Sequence, residues 1–253
     1  PRSMKDWQWL GLVGIDDPIR PEVKETIIAC QNAGIKIKIV TGDYRETAEE
    51  VARKLGFEFS SENVMDNKEL ENISAKELEK KIEDIQIFAR VTPHQKLKII
   101  EALQNKKEVV AMTGDGVNDA LALKKADIAI AVSNATDVAK EVSDLILIDN
   151  NFKTIYAACE EGRVILSNIK KAIGYALSDS FVEMIVILTA VILNFPVPIT
   201  VVMILWINLI CDGPNDILLG FEGKEEGIMS IKPKEIQKIT IFDQLMLSVT
   251  VVI

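Results

Sequence analysis

The sequence of 253 residues predicts an α/β domain, a parallel sheet covered by helices on both faces, followed by an α-helical membrane region. Three observations predict it. Over the first 150 residues, apolar runs of strand length alternate with punctuated helical stretches, as in strand–crossover–strand units. The charge is divided: residues 1–171 carry 25 basic and 29 acidic side chains, whereas residues 172–221 carry no Lys, Arg or His. Those fifty residues also hold two apolar runs of membrane-spanning length around one short turn.

The strand candidates are residues 9–15, 35–40, 86–89, 109–112, 128–132 and 145–148. Between them, Pro21 opens a helix at its first turn and Gly34 closes it. Ser74 and Glu77 form a capping box ahead of another helix. Thr92-Pro93 starts the helix that carries Lys96. From Phe152 onward nothing breaks a helix until Pro196. Within it, residues 172–195 would rise roughly 36 Å at 1.5 Å each, enough to cross a bilayer. Residues 199–219 form a second candidate span, joined to the first by the uncharged NFPVP turn.

Arg163, Lys170 and Lys171 precede the pair, and Lys224, Lys232, Lys234 and Lys238 follow it, which places both outer flanks on the cytoplasmic side. Two buried helices of a soluble protein are the alternative; the tight turn and flanking lysines weigh against it. The expected division is therefore 1–151 for the α/β domain, 152–171 for a cytosolic stalk helix and 172–221 for the membrane hairpin. A cytoplasmic loop over 222–239 and the start of a further span over 240–253 complete it. Pro stands first and the last residues stop inside an apolar run, so the sequence reads as an internal piece of a longer protein.

Composition excludes other classes. At 48% hydrophobic and 26% charged, the chain has the apolar residues that disordered chains lack. A net charge of −9 argues against a dedicated nucleic-acid binder. Cys30, Cys159 and Cys211 lie far apart with no metal spacing, the pattern of a reducing compartment without a disulfide framework.

The strongest local signal is Met112-Thr-Gly-Asp-Gly-Val-Asn-Asp-Ala120. It puts Asp115 and Asp119 in a Gly-rich loop at the C-terminal edge of a strand, where open α/β sheets bind ligands. Mg²⁺ takes oxygen ligands, commonly one or two carboxylates with phosphate and water, and Asn118 can add a neutral hydrogen bond. Thr41-Gly42-Asp43 repeats the arrangement at another strand end, where a hydroxyl and free N–H groups can hold phosphoryl oxygens. Lys96 can neutralise charge that develops in phosphoryl transfer. Singly, each of these is a common surface feature; together, on successive strand edges, they are a phosphoryl site.

The membrane stretch has its own chemistry. Asp179, Glu183, Asp212 and Asp216 occupy it without a base, and each ionised side chain costs roughly 2.5–3.5 kcal/mol in a span even on the lenient scale. Cations or protons must neutralise them. Asp179 and Glu183 share a helix face, as do Asn208 and Asp212. Gly213-Pro214 follows, where Pro frees backbone carbonyls, a device by which transporters coordinate cations. Interfacial placement is the competing explanation for Asp179 and Asp216.

LGLVGIDDPIRPEV, IVTGDYRETA, FARVTPHQKLKIIEALQ, MTGDGVNDALALKKADIAIAV and WINLICDGPNDILLGFE together resemble cation-transporting P-type ATPases of the calcium-pump-like, type II branch. The resemblance covers most of the chain, and TGDGVNDA in this company is highly specific. It implies an α/β phosphorylation domain of haloacid-dehalogenase-like, Rossmann-like fold, of which this is the C-terminal part, then transmembrane helices five and six and the start of seven. By resemblance, Asp115 is the Mg²⁺-binding aspartate, with Asn118 and Asp119 at adjoining catalytic positions. Thr41 and Gly42 form the phosphate-contacting pair, Asp43 beside them is a further catalytic candidate, and Lys96 is the phosphoryl-contacting lysine. Glu183, Asn208 and Asp212 map onto cation-coordinating positions, with Ser180 and Asp179 as further candidates.

The resemblance implies Mg²⁺ and ATP as cofactors, the nucleotide being held mainly by a domain outside this sequence. It implies a transported cation, most readily Ca²⁺, with Mn²⁺, Na⁺ or H⁺ as alternatives. The partners are that cation, the lipid bilayer and the missing N-terminal portion, with no nucleic acid; the setting is a multi-pass protein in the plasma membrane of a prokaryote. The family's DKTGT motif is absent from the sequence. Asp16-Asp17 is a poor substitute, because Pro18 and the missing Thr spoil the turn. Ser180 and Cys211 stand where calcium pumps have Asn and Thr, and no CPC motif of copper- or zinc-type pumps occurs. A membrane-anchored phosphohydrolase of the same fold, or a non-catalytic pump half, remains open at this point.

Overall fold

The computed structural model describes residues 8, 10–14 and 18–236. Its α/β part holds two three-stranded parallel sheets. The first runs β1 (Ile39–Val40), β3 (Ile87–Ala89), β2 (Val64–Asp66); the second runs β4 (Ala111–Gly114), β5 (Ile128–Val132), β6 (Leu145–Leu147). Ile87 lies opposite both Ile39 and Val64, and Thr113 lies opposite Ile130. Among the described residues β1 and β4 each pair on one side only.

Side-chain alternation along β3 divides the first core. Ile87 and Ala89 face a cluster with Ile27, Ala48 and Ala52, while Phe88 faces one with Leu70, Leu78, Ile82 and Ile99. Helices therefore cover both faces: α1 (Pro21–Asn32) and α2 (Arg45–Leu55) on one, α3 (Asn67–Asn72), α4 (Ala75–Lys81) and α5 (Pro93–Asn105) on the other. In the second sheet Ala129 and Ala131 pack with Leu123 of α6 (Ala120–Lys125) and Ala139 of α7 (Asp137–Glu141).

The helix ends follow the local chemistry. Pro21 stands in the first turn of α1, where its missing N–H leaves no bond unmade. Capping boxes open α3 (Asp66, Glu69), α4 (Ser74, Glu77) and α5 (Thr92, Gln95). Lysines close two of them. Lys98 donates to the carbonyls of Leu70 and Ile73, both at 2.9 Å, past the end of α3. Lys38 donates to those of Ile82 (2.7 Å), Glu83 (3.1 Å) and Ile85 past α4, and burial, aided by Lys36, pushes its ammonium down to about 8.

The strand expected over 9–15 is not formed where it is described. Residues 10–14 are irregular, and Leu10, Leu12 and Val13 are about nine-tenths exposed. A lone strand has no neighbour to take its N–H and C=O groups, so apolar composition alone does not hold it extended. Residues 9 and 15–17, with Asp16-Asp17, lie outside the described part. The expected strand at 35–40 shortens to β1, that at 109–112 shifts to β4, and β2 occupies a stretch the apolar pattern did not mark.

From residue 152 the architecture is helical. Helix α8 (Phe152–Ile192) runs unbroken for 41 residues, roughly 60 Å at 1.5 Å per residue. The next span is composite: α9 (Val201–Trp206), a π-helical turn (Ile207–Asp212) and α10 (Gly213–Gly220). Pro214 has no N–H, and the Gly213 N–H reaches back five residues to the Asn208 carbonyl. Helix α8 and the stretch from Val201 to Gly220 are both long and apolar enough to cross a membrane. A soluble core helix would be mostly buried, whereas only 6% of the apolar window of each is buried. A short helix, α11 (Pro233–Ile236), ends the described chain, and the further span expected over 240–253 lies outside it.

Candidate functional site

Each site loop leaves the C-terminal end of a parallel strand. After β1, the Thr41 hydroxyl donates to Asp43 Oδ2 (2.8 Å) and accepts from the Asp43 N–H (3.1 Å), a self-closed turn. Backbone bonds fasten it to the β3–α5 connection: the Arg90 N–H donates to the Asp43 carbonyl (2.9 Å) and the Val91 N–H to that of Thr41 (3.0 Å). The Arg90 guanidinium stacks on the Tyr44 ring at 4.2 Å beside this turn. No atom lies within 4 Å of where a Cβ on Gly42 would stand, so that face is open to a ligand.

One turn into α5, Lys96 donates through Nζ to Asp119 Oδ1 at 2.5 Å. The two side chains are 15% and 11% exposed, so the ion pair is largely withdrawn from water. Asp119 packs directly on Gly114: a Cβ there would sit 2.7 Å from the Asp119 Cβ. Only glycine fits, which gives the first Gly of TGDG a steric reason. Asp115 is exposed, and its main-chain carbonyl accepts the Thr136 N–H at 2.8 Å. Its carboxylate and the exposed Asn118 amide make no hydrogen bond among the described residues. The structure thus joins Lys96 to Asp119 and ties Thr41 to the connection leading into α5. Among the described residues no hydrogen bond joins Thr41 to Asp115.

The second cluster lies between α8 and the composite span. Tyr175, Asp179 and Glu183 recur every four residues on one face of α8. The Tyr175 hydroxyl donates to Asp212 Oδ1 at 2.9 Å, and Asn215 Nδ2 donates to the Tyr175 oxygen at 3.1 Å. The Asp179 carboxyl is within hydrogen-bonding reach of Asp212, which is only 9% exposed. Glu183 Oε1 and Asp216 Oδ1 are buried without a hydrogen-bond partner. Asp179 therefore faces the cluster.

The remaining candidates stand apart from it. Ser180 is exposed and its hydroxyl donates to the Ala176 carbonyl of its own helix at 2.9 Å. Asn208 and Cys211 are exposed as well. Ser180 and Glu183 line a groove of about 440 Å³. Among the described residues no three His, Cys, Asp or Glu side chains stand close enough to hold a metal ion together.

Between the clusters, the segment after α10 is laced onto α8. Asn168 donates to the Glu222 carbonyl at 2.8 Å, and Lys171 pairs with Glu222 (2.8 Å) and with Glu225. Arg163 donates to the carbonyls of Ile228 (3.0 Å), Ile231 (2.9 Å) and Ala33 (3.3 Å), joining that segment to the end of α1. Gly34 lies under Pro233, whose Cδ is 2.9 Å from where its Cβ would be. From the sequence Arg163 was only a flanking charge, and nothing marked Asn168 or Tyr175, because their partners lie 37 or more residues away along the chain.

Comparison with known proteins adds an independent view. Residues 2–127 match the model of the haloacid dehalogenase-like hydrolases, and residues 196–253 match that of the cation transporting ATPase C-terminus. A calcium-transporting ATPase of Bacillus subtilis is 47% identical over 92% of this chain and 26% of its own length. The calcium-transporting ATPase type 2C member 1 of Homo sapiens is 41% identical over 96% of this chain and 27% of its own. A solved structure of the catalytic domain of a CPx-ATPase is 29% identical, covers 55% of this chain and 44% of that one, and superposes with a TM-score of 0.42. The chain spans about a quarter of the length of the curated relatives it matches.

Proposed function

The chain belongs to the cation-transporting P-type ATPases, and from that premise we propose that the full-length protein couples ATP hydrolysis to transport of Ca²⁺, or a related divalent cation, through an aspartyl-phosphate intermediate. One observation carries the reading: a single unbroken helix, α8, packs at its start against α1 and the core of the α/β domain and continues past Asp179 and Glu183, beside the buried Asp212. Chemistry at one end and cation occupancy at the other act on the same rod.

In this reading the loop of Thr41, Gly42 and Asp43 receives the phosphoryl oxygens on its open face. Lys96, held in place by Asp119, neutralises the charge that develops on the transferring group. Asp115 and Asp119, with Asn118 beside them, would hold Mg²⁺; the exposed, unbonded carboxylate of Asp115 fits a hard oxygen-seeking ion. Bound there, the metal supplies electrostatic stabilisation of phosphoryl oxygens. Glu183, Asn208 and Asp212, with Asp179, would bind the cargo, and Cys211 would contribute its carbonyl and not its thiol.

The acceptor aspartate would come from a DKTGT segment outside this sequence. The one-sided edges of β1 and β4, each ending in a site loop, are where a parallel strand bearing it would pair. The protein would be multi-pass, with the α/β domain in the cytoplasm and, on the type II pattern, a prokaryotic plasma membrane as its setting.

The deciding experiment is phosphoenzyme formation from labelled ATP in membranes carrying the full-length protein, with Mg²⁺ and Ca²⁺, Mn²⁺, Na⁺ or no further ion. An acid-stable, hydroxylamine-sensitive phosphoprotein that requires Ca²⁺ is the expected result. A folded protein that forms none with any ion would overturn the proposal.

A further inference from the structure

We infer that Tyr175 and Asn215 are positioning residues for the cargo site: a relay from Asn215 through the Tyr175 hydroxyl holds the Asp212 carboxylate in its binding orientation. The inference rests on the reading of Asp212 as a cation ligand. The geometry is a chain of two bonds across the α8–α10 interface, Asn215 Nδ2 to Tyr175 Oη at 3.1 Å and Tyr175 Oη to Asp212 Oδ1 at 2.9 Å.

Asp212 needs such a hold. It ends a π-helical turn, the one irregular stretch of its span, and is buried at 9% exposure among apolar helices. A carboxylate there has no water shell to fix its rotamer. Tyr175 does this from outside: its ring is anchored on the regular helix α8, one turn before Asp179 and two before Glu183, so the donor shares the rigid frame of those carboxylates. A ligand oriented beforehand loses less freedom when the cation arrives. Asn215 completes the device by donating to the phenolic oxygen, which polarises the O–H toward Asp212. Tyr175 and Asn215 are not cargo ligands in this account; they act through Asp212.

The test uses the full-length protein in membranes with buffered free Ca²⁺ as the probe. The reading is the Ca²⁺ concentration for half-maximal phosphorylation by ATP, compared with that of ATP itself. Tyr175→Phe removes only the hydroxyl, and one hydrogen bond to a charged acceptor corresponds to about a tenfold rise in the Ca²⁺ requirement. The ATP requirement and the Ca²⁺-free phosphorylation by inorganic phosphate should stay unchanged, which also shows that the variant is folded. Asn215→Leu should raise the Ca²⁺ requirement about threefold alone. Added to Tyr175→Phe it should change nothing more, since its effect passes through the hydroxyl; a merely structural role would add.

Asp212→Asn separates the two levels of the argument. If it raises the Ca²⁺ requirement while Tyr175→Phe does not, the relay is wrong and the cargo reading stands. If Asp212→Asn leaves the requirement unchanged, Asp212 is no ligand and both fall.

Discussion

Gly114 and Asp119 show how tightly the candidate phosphoryl site is determined by single atoms. A methyl group on Gly114 would collide with Asp119, which is already paired to Lys96. Gly114→Ala should therefore displace that pair and lower phosphoenzyme formation by about a hundredfold, with near-attack geometry the quantity lost. Rapid-quench phosphorylation of the full-length protein measures it. Lys96→Met would leave the Asp119 carboxylate buried and unpaired, a loss of about 3 kcal/mol in the stability of the α/β domain by the usual cost of breaking such a pair. Adding Asp119→Leu should recover most of it, read from denaturant unfolding followed in that domain. Cys30 offers a test of burial: desolvation, with Cys159 second, pushes its thiol up from 9.0 to about 11. Since the thiolate is the reactive form, iodoacetamide at pH 8 should label native Cys30 about a hundredfold more slowly than an unperturbed cysteine. Mass spectrometry of the timed reaction gives the ratio.

Elements divide into those that local rules determine and those that need their neighbours. Helices α1, α4 and α5 were legible from Pro21, the Ser74 box and Thr92-Pro93, because capping chemistry acts within one turn. Helix α8 was legible from the absence of any breaker. Residues 10–14 failed for the opposite reason: LGLVG has strand composition but no partner strand, and a ladder is made by two segments. The π-turn was half legible, since Pro214 announced a lost hydrogen bond without saying how the preceding turn would absorb it. Pro214→Ala restores the donor and should tighten Ile207–Asp212 toward an α-helix, withdrawing Asp212 and raising the Ca²⁺ requirement for phosphorylation at least tenfold. Two glycines inserted after Lys171 would turn the far half of α8 by about 200°, at 3.6 residues per turn, and carry Tyr175, Asp179 and Glu183 away from Asp212. Phosphorylation by inorganic phosphate should survive that insertion while Ca²⁺-dependent phosphorylation by ATP is lost. A fully coupled insertion variant would remove the rigid-rod account.

At the scale of the whole molecule, the two candidate sites share one backbone. Thr41, Lys96, Asp115 and Asp119 could be nominated from the sequence because motif chemistry clusters within a few residues of each strand end. The lacing of 220–231 onto α8 through Arg163, Asn168 and Lys171 could not, because it depends on a chain reversal beyond α10 that brings distant carbonyls within reach. The two half-sheets have a further consequence for anyone who handles this region by itself. An uncovered β-edge is adhesive: its free N–H and C=O groups accept a strand from any chain. On β1 the hazard is small, for the strand is two residues long. On β4 it is larger, since Val109 just upstream is 61% exposed and the run VVAM is apolar. Three charges, Lys106, Lys107 and Glu108, stand directly before that run, and charges flanking an apolar strand oppose such self-pairing. Aggregation of the isolated domain should accordingly rise with concentration and rise further when those charges are removed, a behaviour written into the edge that β4 presents among the described residues.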